Sequence, residues 1–66
     1  MEPIDEGRAA ARSGRGFVNC PYSYVNSNVR NMDEYAATGN NAKRDLWFEG
    51  WTSELMKMEK EKLLSA

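Results

Sequence analysis

Few side chains in this sequence could do chemistry, and Cys20 comes first because it is the only cysteine in 66 residues that contain no histidine. A nucleophilic thiol needs a depressed pKa, commonly from a neighbouring imidazole. With no imidazole in the chain, Cys20 reads as a small buried hydrophobe. Structural zinc asks for four nitrogen or sulfur ligands, more than one thiol can begin to supply. Phosphoryl transfer needs a phosphate cradle, a lysine at the phosphates and carboxylates on magnesium. No Gly-x-x-x-x-Gly-Lys segment occurs. The sequence therefore predicts no catalytic residue, no metal and no cofactor.

Binding chemistry is better represented. Asp5, Arg8, Arg12 and Arg15 recur at i, i+3, i+7 and i+10, which on one helix lines up three guanidinium groups. With Lys43 and Arg44 beside them, they would grip two or three phosphates or an acidic protein surface. Any such grip must be local, because 9 basic against 10 acidic residues leave a net charge of -1. Trp47 and Trp51 could stack on bases, but their spacing also suits a helix core, which is the expected role.

The elements that must position these groups begin with a helix predicted from Glu2 to Arg15. Pro3 stands near its start, Glu2, Asp5 and Glu6 occupy its first turn, and Gly14 and Gly16 end it. Ile4, Gly7, Ala11 and Gly14 give it a narrow face of small side chains suited to close packing on another helix. From Phe17 to Asn31 the helical period lapses into Asn, Ser, Pro and Tyr, which predicts an ordered loop. Cys20-Pro21-Tyr22 within it is expected to plug the underside of the helices, while Tyr22, Tyr24 and Tyr35 fit either a core cluster or a surface. Asn31 is placed to cap a short helix over Met32 to Thr38, with Gly39 as its stop.

The principal helix is predicted from Ala42 to about Ser65, capped by Asn40 or Asn41. Its core stripe is expected at Trp47, Trp51, Leu55 and Met58, with Phe48 alongside. Gly50, between the two indoles, admits a neighbouring backbone, and the small face of the first helix is the expected occupant. About 24 helical residues span about 36 Å against about 20 Å for the first helix, so one end must overhang. That end carries Lys57, Glu59, Lys60, Glu61 and Lys62 beside Met56, Leu63 and Leu64, apolar area for a second copy or another protein to cover.

In order along the chain, Gly7, Ala10, Ala11 and Gly14, then Cys20-Pro21-Tyr22, then Trp47-Phe48-Glu49-Gly50-Trp51 resemble the ribosome modulation factor family, small bacterial proteins that hibernate ribosomes. The interval from Gly7 to Cys20 and the Trp-x-x-Gly-Trp pattern preceded by Lys43 and Arg44 match that family. Relatives of this kind also occur among phage and plasmid proteins, and one is described as phosphorylating fluoroquinolone antibiotics. Two departures stand out. The stretch between Tyr22 and Trp47 is longer by a segment that includes Asn26 to Gly39, and the chain is slightly acidic where the family is strongly basic.

The resemblance implies a single all-α domain over residues 1–66: two main helices in a hairpin-like arrangement, joined by an ordered loop with room for a short third helix. It further implies a regulatory binding protein of bacterial or phage origin that docks on the ribosome, with ribosomal RNA contact through Arg8, Arg12, Arg15, Lys43 and Arg44, or on a host protein. An antibiotic phosphotransferase is the enzymatic alternative, and a homodimer through Met56, Leu63 and Leu64 is a further expectation. A single cysteine, no secretory signal and no run of about 20 apolar residues predict a cytoplasmic location away from membranes.

Overall fold

The computed structural model describes residues 2–65 and places them in three α-helices, α1 (Pro3–Arg12), α2 (Met32–Thr38) and α3 (Asn40–Ser65). Two single-turn 3-10 segments, Phe17–Asn19 and Val25–Ser27, order the connection between α1 and α2. The protein is a small all-α domain whose two main helices are joined by an ordered loop holding the short third one. None of the described helices is long and apolar enough to cross a membrane.

Each boundary has a local cause. Pro3 occupies the first turn of α1, where its missing N–H costs no bond. At the other end Gly14 turns left-handed at φ 74, its N–H bonded to Ala11 O at 3.1 Å and that of Arg15 to Ala10 O at 2.9 Å. This paired arrangement closes the helix at Arg12, three residues before the predicted Arg15. Gly14 is accordingly an exposed cap and not part of the packed small face.

The short helix matches its predicted bounds. The Asn31 side chain accepts from Glu34 N at 2.9 Å, the Glu34 carboxylate accepts from Arg30 N at 2.8 Å, and Gly39 stops the helix at φ 76. The principal helix starts at Asn40 rather than Ala42, because one left-handed glycine is enough to redirect the chain. Thr38 Oγ1 accepts the Asn40 N–H at 3.1 Å, the service expected of an asparagine, and the Asn40 amide is free to donate to Ser27 Oγ at 2.9 Å.

The core lies where α1 crosses α3, and two glycines set how close the crossing comes. A methyl placed on Gly7 would fall 1.9 Å from the carbonyl oxygen of Trp47, and one on Gly50 would fall 2.0 Å from that of Ile4. Neither position has room for one. Backbone meets backbone, and beside the contact Ala10, Cys20 and Trp47 form the core cluster, with Tyr22 and Trp51 packed against it. The glycine and alanine face thus packs between the indoles as its spacing predicted.

The buried edge of α3 differs from the predicted stripe. Trp47, Gly50 and Glu54 are its buried residues, Trp51 and Met58 are half-buried, and Leu55 is exposed. The close approach of Gly7 to Trp47 and of Gly50 to Ile4 turns α3 so that position 54 faces α1, and Arg12 at the end of α1 supplies the charge that lets a glutamate occupy it. Beyond that point α1 has ended. Arg12 reaches on to Glu61, and α3 continues past the end of α1, which stretches the molecule to 47 × 17 × 16 Å.

Candidate functional site

The five basic residues do not gather in one patch. Arg8 lies 3.6 Å from Asp5 on the exposed face of α1. Arg12 bonds the Glu54 carboxylate at 2.5 Å and lies 3.9 Å from Glu61. Both arginines line an open cleft of about 560 Å³ between α1 and α3, together with Ser13, Glu54 and Lys57. Lys57 was not foreseen there. Its spacing from Glu54 and Glu61, i+3 and i-4, was the available signal, since it places a lysine between two acids on one face.

Arg15 leaves this stripe because α1 stops before it. Its carbonyl accepts from Trp51 Nε1 at 2.9 Å, and the residue lines a separate cleft of about 400 Å³ with Glu6, Ser13, Asn19, Pro21 and Trp47. Lys43 and Arg44 lie elsewhere again, against the loop. The Lys43 ammonium sits 5.8 Å from the Tyr22 ring centre and the Arg44 guanidinium 5.9 Å from that of Tyr35, both within cation–π range.

The Cys-Pro-Tyr loop is held from three sides. Cys20 is fully buried against Ala10 and Trp47. The Asn26 amide donates to the carbonyls of Val18 and Cys20 at 3.0 and 2.8 Å, which ties the turn shut. From α2, the fully buried Tyr35 donates its hydroxyl to Tyr22 O, and its ring meets that of Tyr24 edge-on at 5.7 Å. The tyrosines therefore form a cluster beneath the helices, with Tyr35 at its centre. Pro21 remains at the surface.

Burial pushes the Cys20 thiol above its ordinary value, the reverse of what a nucleophile needs. Tyr22 also moves up, chiefly because its hydroxyl donates to the Glu6 carboxylate at 2.8 Å and would lose that bond on ionising. Both groups hold their proton more tightly folded than unfolded. Stability should consequently be complete below the ordinary thiol value of 9.0 and fall as pH climbs past the phenol value of 10.0. Urea unfolding from pH 7 upward checks this, and Tyr22→Phe should flatten the phenol part of the decline while leaving the thiol part.

One aromatic group reaches the surface. Phe17, Phe48 and Trp51 form a triangle with ring centres 4.9, 5.9 and 6.2 Å apart, Phe17 and Phe48 remaining about two-fifths exposed. Farther along α3, Met56, Leu63 and Leu64 are each more than 70% exposed, so the apolar overhang has the solvent contact expected of it. Among the described residues, no group of three or more cysteine, aspartate or glutamate side chains could hold a metal ion. No family model matches the chain, and neither a curated protein nor a solved structure matches it.

Proposed function

We propose that the chain is a small regulatory binding protein that docks on a large cytoplasmic partner, as the ribosome modulation factors it resembles dock on the ribosome. A host protein is the alternative partner. One observation carries this reading: Gly7, Ala10, Cys20, Tyr22, Trp47, Gly50 and Trp51, seven of the residues behind the resemblance, meet where α1 crosses α3. Gly7 meets Trp47 and Trp51, Gly50 meets Ile4, and Ala10 and Cys20 close around Trp47 with Tyr22 and Trp51 packed against them. Gly14 caps the helix that presents Gly7.

The added segment supports the same reading. Tyr35 lies in it, is fully buried, and bonds the backbone of Tyr22, so the extra residues brace the shared loop. On the ribosomal version, contact with RNA falls to Arg8, Arg12, Arg15, Lys43 and Arg44. Dispersed cations of this kind position a protein on phosphates without reading sequence.

Sucrose-gradient sedimentation of tagged protein in stationary-phase bacterial lysate tests the proposal. Migration with ribosomal particles is expected, weakened by raised salt and by Arg8→Ala with Arg15→Ala. Protein that stays at the top of the gradient rules out the ribosome.

A further inference from the structure

One face of α3 is covered only in part inside the molecule, by Phe17, the Arg15 carbonyl and Tyr35 over its first turns, and its pattern differs from the buried face. From Arg44 through Phe48, Trp51, Leu55 and Met58 to Lys62 the intervals alternate four and three. That is the spacing of a helix seam that receives another helix. Phe48 and Leu55 are exposed at 44% and 37%, and Trp51 and Met58 are half-buried. Phe17 leans on the seam's first turn, and Arg12 at the end of α1 reaches the acids beside its second, Glu54 and Glu61.

The charges beside the seam select among occupants. Asp45 and Glu59 are exposed along one flank, and Glu54 and Glu61 lie on the other with Arg12. A second copy aligned in parallel would set Arg44 on Arg44 and Lys62 on Lys62, with Glu54 beside Glu59. Turned antiparallel, with Phe48 on Met58 and Trp51 on Leu55, it would set Arg44 on Lys62 and Asp45 near Glu59. Like charges meet in both orientations. An RNA backbone fares no better, because its phosphates would face the acidic flank.

We propose that the seam of Phe48, Trp51, Leu55 and Met58 is the docking site for an amphipathic helix of a partner protein, one whose apolar stripe is flanked by lysine or arginine. The proposal rests on the docking function above and names the partner's chemistry. Apolar anchors at this spacing would enter between Phe48 and Met58, while basic flanks would meet Asp45 and Glu59. Arg44, already held by Asp45 at 3.7 Å and by the Tyr35 ring, closes one end.

The test uses two synthetic peptides of about 20 residues, long enough for helix to be populated, with the same leucine spacing and either lysine or glutamate on the flanks. Trp47 is fully buried already, so a change in tryptophan emission on titration reports Trp51. The lysine peptide should bind at least about tenfold more tightly than the glutamate peptide, and Asp45→Lys with Glu59→Lys should reverse the order. Leu55→Ser should weaken the lysine peptide about tenfold. Lys60→Ser, exposed and off the seam, should leave it unchanged. Circular dichroism confirms that each variant is folded.

Equal affinity for the two peptides overturns the proposal, as does a Leu55→Ser variant that binds like the parent. So does a dimer mass by light scattering that Leu55→Ser abolishes, or a single-stranded RNA that shifts the same emission. Peptide binding without ribosomal co-sedimentation removes the ribosome and keeps the seam. Co-sedimentation without peptide binding does the opposite.

Discussion

Gly50→Ala is expected to destroy the native fold, although alanine is the better helix former by about 1 kcal/mol. The new methyl would meet the Ile4 carbonyl at 2.0 Å, and the obstacle is backbone, which no rotamer change can move aside. The helices must separate. Separation strips contacts from Trp47, Ala10 and Cys20 together, and overpacking of this kind costs about 3 kcal/mol or more. A chain this short has only about 3 to 5 kcal/mol to lose. Thermal unfolding followed by circular dichroism should show the melting temperature lower by at least about 12 °C, or no cooperative transition. Gly7→Ala, with 1.9 Å to Trp47 O, should behave alike. Gly16→Ala is the control, since nothing lies within 4 Å of its added methyl and its φ is -83. A Gly50→Ala protein that melts like the parent would remove the close crossing as the organising contact.

How far these features were legible follows from the range over which each cause acts. Caps and turns are local, so Asn31, Gly39 and the end of α1 near Gly14 could be read from residue types alone. The glycine–indole crossing was legible too, because two glycines inside helical patterns have few uses other than close approach. The rotation of α3 was not. Leu55 and Glu54 are neighbours, and hydrophobicity favours leucine inward. The close approach at Gly7 and Gly50 turns position 54 toward α1, and Arg12 at the end of α1 lets a glutamate be buried there. Arg15 was lost from the arginine stripe for a related reason: periodicity continues past Arg12 in the letters, while the left-handed Gly14 ends it in the chain. Tyr35 shows a third limit. A tyrosine on a seven-residue helix carries no sign of how that helix folds back, yet it is among the most buried side chains of the protein.

The two indoles look equivalent in the sequence, and the structure separates them. Trp47 is 2% exposed and touches both sides of the core. Trp51 stacks on it with ring centres 6.1 Å apart but keeps one edge at the surface, where Nε1 donates to Arg15 O at 2.9 Å. Trp47→Ala should therefore cost about 3 to 5 kcal/mol, since the vacated space is bounded by helix backbone that cannot close in. That loss equals the whole expected stability, and the variant should be unfolded without denaturant. Trp51→Phe keeps a ring on the stack and gives up one hydrogen bond, so about 1 kcal/mol is expected. Urea titrations monitored by far-ultraviolet ellipticity compare the two without relying on tryptophan emission. Similar midpoints for both variants would mean that the indoles share the core equally, and the seam would then lose Trp51 as a surface residue. A wide gap, with Trp51→Phe folded and Trp47→Ala not, assigns Trp47 to holding the helices together and leaves Trp51 accessible to a partner.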